Sequence, residues 1–401
     1  MSNPSSSGAG AGHHQQEIRS ITVVQQQQEE EELLAAGITL PAVVVATDDA
    51  ELSPPRCEWD FRLAATVPSP ALPGASDAIG SIDFDPTGRL LATGGIARKI
   101  RFYSVASLLD QDRGNLGPAA CICVPAKLSS VRWRPGASGT VVGCGDYDGV
   151  VTEYDVDRGV AAWERDEHSG RRVWALDYAP AAAMAASGSD DRTAHVWDPR
   201  APPSAGWATA RAGGAVLCVE FEPSGRPQLA VGSADRRAAV YDVRALGRGP
   251  VARMDGHARA VTYVRWAGRR VVTSAADGTH RLWELSETED ASSAREVRSY
   301  SGHASARSFV GMGVWRRPGL VASGSESNHV FVYDLRWAKP IWVHPFFSSS
   351  SPPGAVAWRQ GTSTYDLDAG ALVAGGSDGA LKMFTCQRRK EVEEAAGELD
   401  H

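Results

Sequence analysis

The sequence repeats a similar pattern every 42 to 51 residues, and this period restricts the possible folds more than any other feature. Each copy has a short apolar strand, then a turn rich in Gly, Ser and Asp, and ends on an aromatic residue. The seven terminal aromatics are Tyr103, Tyr154, Trp197, Tyr241, Trp283, Tyr333 and Phe384. Such a period, with several short strands per copy, is typical of β-propellers in which each copy forms one four-stranded blade. The sequence therefore predicts an all-β, seven-bladed β-propeller.

Composition divides the chain into three parts. Residues 1–56, with "QQQQEEEE" and "SPPR", lack the apolar periodicity that would offset the entropy of ordering, so we predict disorder there. The propeller is predicted over 57–386, followed by a charged tail, 387–401. Within the propeller, the strand "CEWDFRLAAT", residues 57–66, has no blade of its own. We expect it to complete the last blade, because a closed ring leaves no unpaired strand edge.

Charge and hydropathy argue against several classes of partner. The net charge is −7, but residues 1–56 carry −6 and the tail −2, which leaves the body at +1. A near-neutral body does not predict nucleic-acid binding. No apolar run reaches the roughly 18 residues that span a bilayer, and no signal-peptide pattern begins the chain, so we expect no membrane contact and a location in nucleus and cytosol. The six cysteines form no Cys-x-x-Cys pair, so neither a metal site nor a cofactor is predicted.

The stretch "SGSDDRTAHVWDPR", Ser187 to Arg200, contains Ser, Asp and His, the side chains of a hydrolase triad. However, an aspartate recurs six residues before the terminal aromatic in five copies, whereas two copies have Ala97 and Ser327 there. A recurring aspartate in a Gly/Ser-rich turn indicates a structural brace, and a triad would occur once. In one copy we expect a hydrogen-bonded chain of Asp277, His257, Ser274 and Trp283. The predicted brace residues are Asp148, Asp191, Asp235, His257, Asp277 and Asp378.

The "GH" at Gly256 and His257, the Asp turns and the endings "VWD", "VYD" and "RLWE" resemble the WD-repeat family. Longer words, such as "ATGGIARKIRFY", "KLSSVRW", "DYDGVVTEYDV" and "RRVWALDY", are similar to the propeller of the plant constitutively photomorphogenic ubiquitin ligase. That ligase has a RING finger and a coiled coil before its propeller, whereas residues 1–56 here contain no zinc-ligand set. "CEWDFRLAATV" followed by "SDAIGSIDFDPTG" resembles the propeller-only repressor of UV-B photomorphogenesis family.

The resemblance implies a peptide-binding pocket. In the ligase the propeller binds Val-Pro motifs preceded by acidic residues, and the matching words here carry three cations and three aromatics. These implied peptide-binding residues are Lys127, Tyr147, Arg172, Trp174, Arg259 and Phe309. The family has an acidic residue three positions before that phenylalanine, whereas this chain has Ala306, so contacts on that side are expected to differ.

A second motif is "VWDPR", with Trp197, Asp198 and Arg200, which is repeated as "VYDVR" and "VYDLR" at 240–244 and 332–336. It resembles the box by which WD-repeat receptors dock to the DNA-damage-binding adaptor of cullin-RING ubiquitin ligases. The alternative is the ordinary end of a repeat, because an aromatic followed by Asp closes most copies.

Two functions remain open. The resemblance implies a non-enzymatic adaptor that binds the C-terminal Val-Pro motif of the plant UV-B photoreceptor, promotes its return to the inactive dimer and so represses signalling. The alternative is a substrate receptor of a cullin-RING ligase. The photomorphogenic ligase and the cullin-RING adaptor are further candidate partners. An enzyme is disfavoured, because we find no nucleophile elbow, phosphate loop or metal cluster in the sequence.

Overall fold

The computed structural model describes residues 58–70, 76–110, 116–136, 140–166, 168–181, 184–202, 207–286, 294–346, 351–361 and 369–389. In these residues the chain is an all-β propeller of seven four-stranded sheets, which confirms the predicted fold. The predicted disorder of 1–56 lies outside the described residues, as does most of the predicted tail. None of the helices in this part of the chain has the length and apolar character that a bilayer-spanning helix requires.

The strands of the described residues are β1 (Trp59–Val67), β2 (Ile79–Phe84), β3 (Leu90–Gly95), β4 (Lys99–Ser104), β5 (Ala120–Cys123), β6 (Leu128–Trp133), β7 (Val141–Asp146), β8 (Val151–Asp155), β9 (Val160–Arg165), β10 (Val173–Tyr178), β11 (Ala185–Ser189), β12 (Thr193–Trp197), β13 (Ala208–Arg211), β14 (Val216–Phe221), β15 (Gln228–Ser233), β16 (Arg237–Asp242), β17 (Ala252–Asp255), β18 (Val261–Ala267), β19 (Arg270–Ala275), β20 (His280–Glu284), β21 (Arg295–Tyr300), β22 (Met312–Trp315), β23 (Leu320–Ser325), β24 (His329–Asp334), β25 (Pro340–Pro345), β26 (Pro353–Trp358), β27 (Ala369–Gly376) and β28 (Leu381–Arg388). A short helix, α1 (Val105–Leu109), and a 3₁₀ turn (Leu246–Arg248) interrupt the strand order.

Each of blades one to six is formed by four consecutive strands, from β2–β5 to β22–β25, and blade seven combines β26, β27 and β28 with β1. The N-terminal strand β1 pairs antiparallel with β28, so that Trp59 lies opposite Arg388 and Val67 opposite Leu381. Strand β28 runs two residues past the predicted end of the propeller at 386. One strand from the start of the described chain therefore closes the ring on its end.

Neighbouring blades pack closely because small residues lie on the faces that meet. Strand β11 has the sequence AASGS and is buried along its whole length. A Cβ added at Gly188 would come within 2.4 Å of Val216 on the next blade. Valine, leucine and aromatic side chains of the neighbouring inner strand fill the space that these small residues leave, at the close packing of a protein interior.

Buried and half-buried carboxylates join neighbouring inner strands around the central channel. Asp83 on β2 accepts the N–H of Trp133 at 2.9 Å, Asp177 on β10 accepts that of Phe221 at 2.7 Å, and Glu220 on β14 accepts that of Trp266 at 2.5 Å. Each bond satisfies a backbone donor at the junction of two blades, where an unpaired donor would be costly. Burial raises the pKa of Asp83 and raises that of Asp177 to about 7.

The brace of blade five forms, but through a different hydroxyl from the predicted one. His257 Nδ1 lies 3.0 Å from Asp277 Oδ2, and its Nε2 lies 2.7 Å from Thr273 Oγ1. The indole of Trp283 donates to the same Thr273 oxygen at 2.8 Å. The prediction of Ser274 is therefore wrong, because neighbouring residues of a strand point to opposite faces. Burial raises the pKa of Asp277, but hydrogen bonds from His257 and Thr279 outweigh it and hold that pKa below its usual range.

Blade three has an equivalent brace around a histidine that the sequence analysis missed. His168 Nδ1 lies 2.8 Å from Asp191, and its Nε2 lies 2.7 Å from Ser187 Oγ. These atoms have the order of a hydrolase triad, but His168 and Ser187 are each only 1% exposed, and blade five repeats the arrangement with Thr273. A buried and repeated device of this kind holds the blade. His195, the histidine of the triad-like stretch Ser187 to Arg200, stacks on His168 with ring centroids 4.3 Å apart.

The other predicted aspartates hold turns without a histidine. Asp235 accepts the N–H groups of Gly213 and Arg237, and Asp378 accepts that of Ala380. In blade two the prediction of Asp148 is wrong. That residue is exposed, and the carboxylate of Asp146 accepts the turn N–H groups of Asp148 and Val150 at 3.0 and 2.8 Å.

Ring closure should depend on one buried side chain of β1. Trp59 is 4% exposed and packs against Trp315 of blade six at a centroid distance of 5.1 Å. We expect Trp59→Ala to lower the free energy of unfolding in urea by about 3–5 kcal/mol, because it leaves a large cavity. Leu63→Ala, on the same strand but 42% exposed, should change it by less than about 1 kcal/mol. Equal losses would contradict this account of closure.

The two hydroxyls of β19 give a matched test of the brace. Thr273→Val would leave His257 Nε2 and the Trp283 indole without their shared partner, at a cost of about 2–4 kcal/mol in the free energy of unfolding. Ser274→Ala removes a buried hydroxyl that has no hydrogen-bond partner among the described residues, and should cost less than about 1 kcal/mol. Chemical denaturation of the two variants measures both, and a costlier Ser274→Ala would refute the assignment.

Candidate functional site

The six residues implied as peptide-binding lie on one face of the propeller. This mouth face carries the first residues of the inner strands and the turns between the second and third strands. Lys127 directly precedes β6, and Arg172 directly precedes β10. Tyr147 directly follows β7, which runs antiparallel to β6 and therefore ends where β6 begins. The other three are Trp174 at the start of β10, Arg259 two residues before β18, and Phe309 three residues before β22.

Trp174 is aimed at the mouth by a β-bulge. In β10 the pairing with β11 skips from Val173 to Ala175, which leaves Trp174 as the extra residue. A bulge re-aims a side chain and commonly does so beside a binding site. The inner strands of five other blades have the same bulge, but their extra residues are smaller or aliphatic: Gly80, Ser129, Leu217, Thr262 and Gly354.

An aromatic cluster spans the mouth from blade two to blade six. The Trp174 ring stacks on Phe309 with centroids 4.9 Å apart and planes 24° apart. Tyr147 lies 6.5 Å from Trp174 on the other side, and Tyr263 meets Phe309 edge-on at 6.1 Å. The Trp174 indole N–H donates to Asp190 Oδ1 at 2.5 Å, which fixes the ring orientation. Phe309 is 37% exposed although it is a large apolar residue.

Two of the predicted cations lie beside this cluster. The Arg172 guanidinium lies 3.9 Å from the Tyr147 ring centroid and 4.5 Å from that of Trp174, a double cation–π contact. Lys127 is exposed, and its carbonyl accepts the N–H of Tyr147 at 2.9 Å, so its backbone is fixed to the same turn.

The remaining predicted residues lie on the same face at other blades. Arg259 is exposed in the loop before β18 and does not line the central cavity. Phe309 lies in the loop before β22, in which the N–H groups of Arg307 and Ser308 donate to Glu326 Oε1, the latter at 2.7 Å. A carboxylate from blade six thus holds the loop that contains Ala306, where the resemblance led us to expect an acidic residue.

The aromatic cluster covers a cavity of about 250 Å³ at the centre of the mouth face. Its lining includes Tyr147, Trp174 and Phe309, together with Tyr263 and Arg265, which the sequence analysis missed. The Tyr263 hydroxyl accepts the N–H of Gly311 at 3.2 Å, which links blade five to the Phe309 loop. Burial raises the pKa of Tyr263, so its phenol stays protonated. Alignment of the inner strands could have found Tyr263, since the equivalent residues are small: Ser81, Ser130, Ala175, Cys218 and Ala355.

The adaptor-docking motif lies on the opposite face, where the third strands end. Trp197 is buried at 4% exposure, whereas the Arg200 side chain is 64% exposed. Asp198 receives two hydrogen bonds from the Arg200 guanidinium, at 2.9 and 2.7 Å, which lower the Asp198 pKa to about 2. The same two-bond clamp joins Arg244 to Asp242, and Arg336 to Asp334.

The mouth face combines apolar walls with surrounding cations. Aromatic faces bury the apolar surface of a ligand and bind rings and aliphatic groups without a directional requirement. Exposed cations at the edge favour a ligand that carries negative charge next to its apolar part. Chemically, this arrangement suits a short extended peptide with an apolar, conformationally restricted centre and acidic flanks.

Comparison with known proteins agrees with the repeat pattern. The model of the family "WD domain, G-beta repeat" matches residues 67–104, 162–198 and 248–284. These ranges end with the third strands of blades one, three and five. Two of the three contain a histidine bonded to an aspartate and a hydroxyl, His168 in one and His257 in the other.

The similarity to individual proteins extends over most of the chain. WD repeat-containing protein RUP1 of Arabidopsis thaliana is 49% identical over 82% of this chain and 86% of its own length. WD repeat-containing protein RUP2 of the same plant is 48% identical over 79% and 89%. The E3 ubiquitin-protein ligase COP1 of Pisum sativum is 32% identical over 68% of this chain, but over only 39% of the ligase.

Proposed function

Because this chain belongs to the WD-repeat family that includes RUP1 and RUP2, we propose that it is a non-enzymatic adaptor that represses UV-B photoreceptor signalling. Its ligand is the C-terminal Val-Pro motif of the photoreceptor, taken up at the mouth face. The similarity to COP1, 32% identity over 68% of this chain, supports a shared ligand chemistry.

The observation that carries the proposal is the contact of Tyr147, Arg172, Trp174 and Phe309 across the mouth. A Val-Pro pair suits this cluster because proline restricts the backbone before binding, so that less entropy is lost on docking. Trp174 and Phe309 stack too closely to admit a ring between them, so the ligand displaces Phe309 on its exposed loop or packs over the ring edges. Lys127, Arg172 and Arg259 attract the acids that flank the motif.

Repression follows from mass action. A propeller that occupies the photoreceptor tail competes with the photomorphogenic ligase for the same motif. When it binds the tail and the photoreceptor core together, it also shifts the photoreceptor toward the dimer. The size of this shift equals the difference between its binding free energies for the dimer and for the monomer. We propose that this activity takes place in the nucleus and cytosol.

Substitutions at the mouth test the pocket. We expect Trp174→Ala and Lys127→Ala each to weaken binding of a photoreceptor-tail peptide about tenfold or more, because a central tryptophan can supply ~2–4 kcal/mol and Lys127 pairs with the acidic flank. Isothermal titration calorimetry measures the affinity, and circular dichroism checks the fold. Trp207→Ala and Arg158→Ala are matched controls, because these exposed residues lie away from the mouth, and they should bind as wild type.

Unchanged affinity in both mouth variants would remove the pocket assignment. A photoreceptor without its C-terminal tail should also fail to capture the protein in a pull-down. Capture of the tail-deleted photoreceptor at full strength would show that another surface makes the essential contact.

A second candidate function is favoured by the clamped arginines of the opposite face. Arg200 and Arg244 are held by their aspartates yet are 64% and 72% exposed, which is a preorganised arrangement for docking a partner. Arg336 is also bound to Glu58 at 3.2 Å, so part of its guanidinium is already occupied. On this reading the protein is a substrate receptor that brings its ligand to a cullin-RING ligase through the DNA-damage-binding adaptor.

The two faces can be tested separately. Arg200→Ala should abolish capture by the adaptor in a pull-down and leave tail-peptide affinity unchanged, because the two sites lie on opposite faces. Arg158→Ala is the matched control, since Arg158 lies on the same face but three residues after Asp155, outside the clamp geometry. Adaptor capture that survives Arg200→Ala would reject this docking mode, and loss of both activities would indicate misfolding.

A further inference from the structure

One turn position has the same unusual backbone conformation in all seven blades. It lies five residues before the terminal aromatic, on the mouth face, and its φ is positive in every blade. The residues and φ angles are Arg98 (57°), Gly149 (98°), Arg192 (68°), Arg236 (74°), Gly278 (78°), Asn328 (62°) and Gly379 (88°). The fold therefore requires the left-handed conformation at this position, whatever residue occupies it.

Glycine and asparagine are the residues that ordinarily occupy such a position. In blades two and seven a side chain would also be too crowded. A Cβ at Gly149 would lie 2.9 Å from the backbone of Arg171, and one at Gly379 would lie 2.6 Å from Asp77. Blades one, three and four instead have arginine, which has no preference for the left-handed region. An unfavoured residue in a strained conformation points to a use for its side chain.

The left-handed arginines Arg98, Arg192 and Arg236 are all exposed on the mouth face. The aspartates that precede two of them are turned inward. Asp191 is bonded to His168 and Thr193, and Asp235 is bonded to the N–H groups of Gly213 and Arg237. For Arg192 and Arg236, no side-chain hydrogen bond or ion pair is found within the described residues. These turns thus direct Asp191 and Asp235 inward and present Arg192 and Arg236 to solvent.

We propose that Arg192 and Arg236 extend the binding site of the mouth face and bind an acidic segment of the partner polypeptide that continues from its apolar anchor. This inference rests on the proposed function, and it adds the surface that recognises the acidic residues beside the apolar anchor of the ligand. Arg192 follows β11, the strand paired with the one that carries Trp174, and Arg236 occupies the same position on the next blade. A chain that leaves the Trp174 pocket over blades three and four therefore passes both arginines.

Spaced carboxylates fit this surface better than a nucleic-acid backbone. Asp190 is exposed beside Arg192, so an unbroken row of phosphates would meet negative charge next to that arginine. An acidic peptide can place its carboxylates at the arginines and neutral residues between them.

The test compares two peptides and three double variants. One peptide has four acidic residues before Val-Pro, and the other has serines in their place. Arg192→Asn with Arg236→Asn removes both cations and keeps residues that accept the left-handed turn. Arg192→Lys with Arg236→Lys keeps both charges. Arg158→Asn with Arg253→Asn, at exposed sites away from the mouth, makes the same change in net charge.

We expect the asparagine pair to weaken the acidic peptide about fivefold at low salt, with less effect at high salt, and to leave the serine peptide unchanged. The thermal midpoint should stay equal to wild type or rise, because the strain is relieved. The lysine pair should stay within about twofold of wild type, and the control pair should bind as wild type.

Other results would overturn the inference. The arginines would have no role in recognising the acidic flank if the asparagine pair left the affinity for the acidic peptide unchanged or weakened both peptides equally. A lowered thermal midpoint of the asparagine pair would also count against the inference. An oligonucleotide bound as tightly as the acidic peptide, and lost in the same variant, would indicate a phosphate-binding surface instead. Failure of this inference is distinct from failure of the proposed function, because Trp174→Ala would still weaken binding of both peptides about tenfold or more.

Discussion

Everything on the mouth face depends on closure of the ring by β1. The pocket side chains come from blades two, three, five and six, so they meet only if all seven blades keep their angular positions. The pairing of β1 with β28 joins residues more than 300 positions apart. Glu58 is also bound to Arg336 and Arg388, and Asp60 to Arg389. Exposed ion pairs of this kind contribute little each, so the backbone pairing and the buried Trp59 provide most of the closing energy.

A closed ring of similar blades can acquire a binding site through few changes. In six blades a bulge at the start of the inner strand places one side chain near the axis, and in most of them that residue is too small to contact a ligand strongly. Blade three has Trp174 there, and blade five has Tyr263 one residue further along its strand. The fold thus supplies the positions, and the choice of residue at two or three of them supplies the chemistry. This is why fold and function separate so clearly in propellers.

Period and turn composition were enough to predict the seven blades, because each blade repeats one strand and turn pattern. Lys127, Trp174 and Phe309 each lie at or shortly before the start of an inner strand, so the structure brings them to one face, and their role in binding stays a prediction. The brace was harder to predict. Thr273 and Ser274 are adjacent in a strand that is buried on both faces, so hydropathy does not show which of the two side chains faces the histidine. The repeat itself does show it, because Thr273 and Ser187 both lie ten residues before a terminal aromatic. His168 follows a glutamate where His257 follows a glycine, and its loop differs in length, which hid the equivalence.

The channel below the pocket shows why ligand selection must reside in the outer part of the site. Its wall carries Asp83, Asp177 and Glu220, balanced by Arg132, Arg265 and Arg316. The acids are committed to backbone N–H groups of the next blade, and Arg316 is bound to Glu220 at 2.9 Å. Asp177, with its pKa raised to about 7, is partly protonated at neutral pH, so the acids balance most of the arginine charge and the channel contributes little net field at the mouth. On the proposed function, an acidic peptide that approaches this face would be attracted by the cations of the turns and loops, and the aromatic cluster would contact the apolar residue that they bring to it.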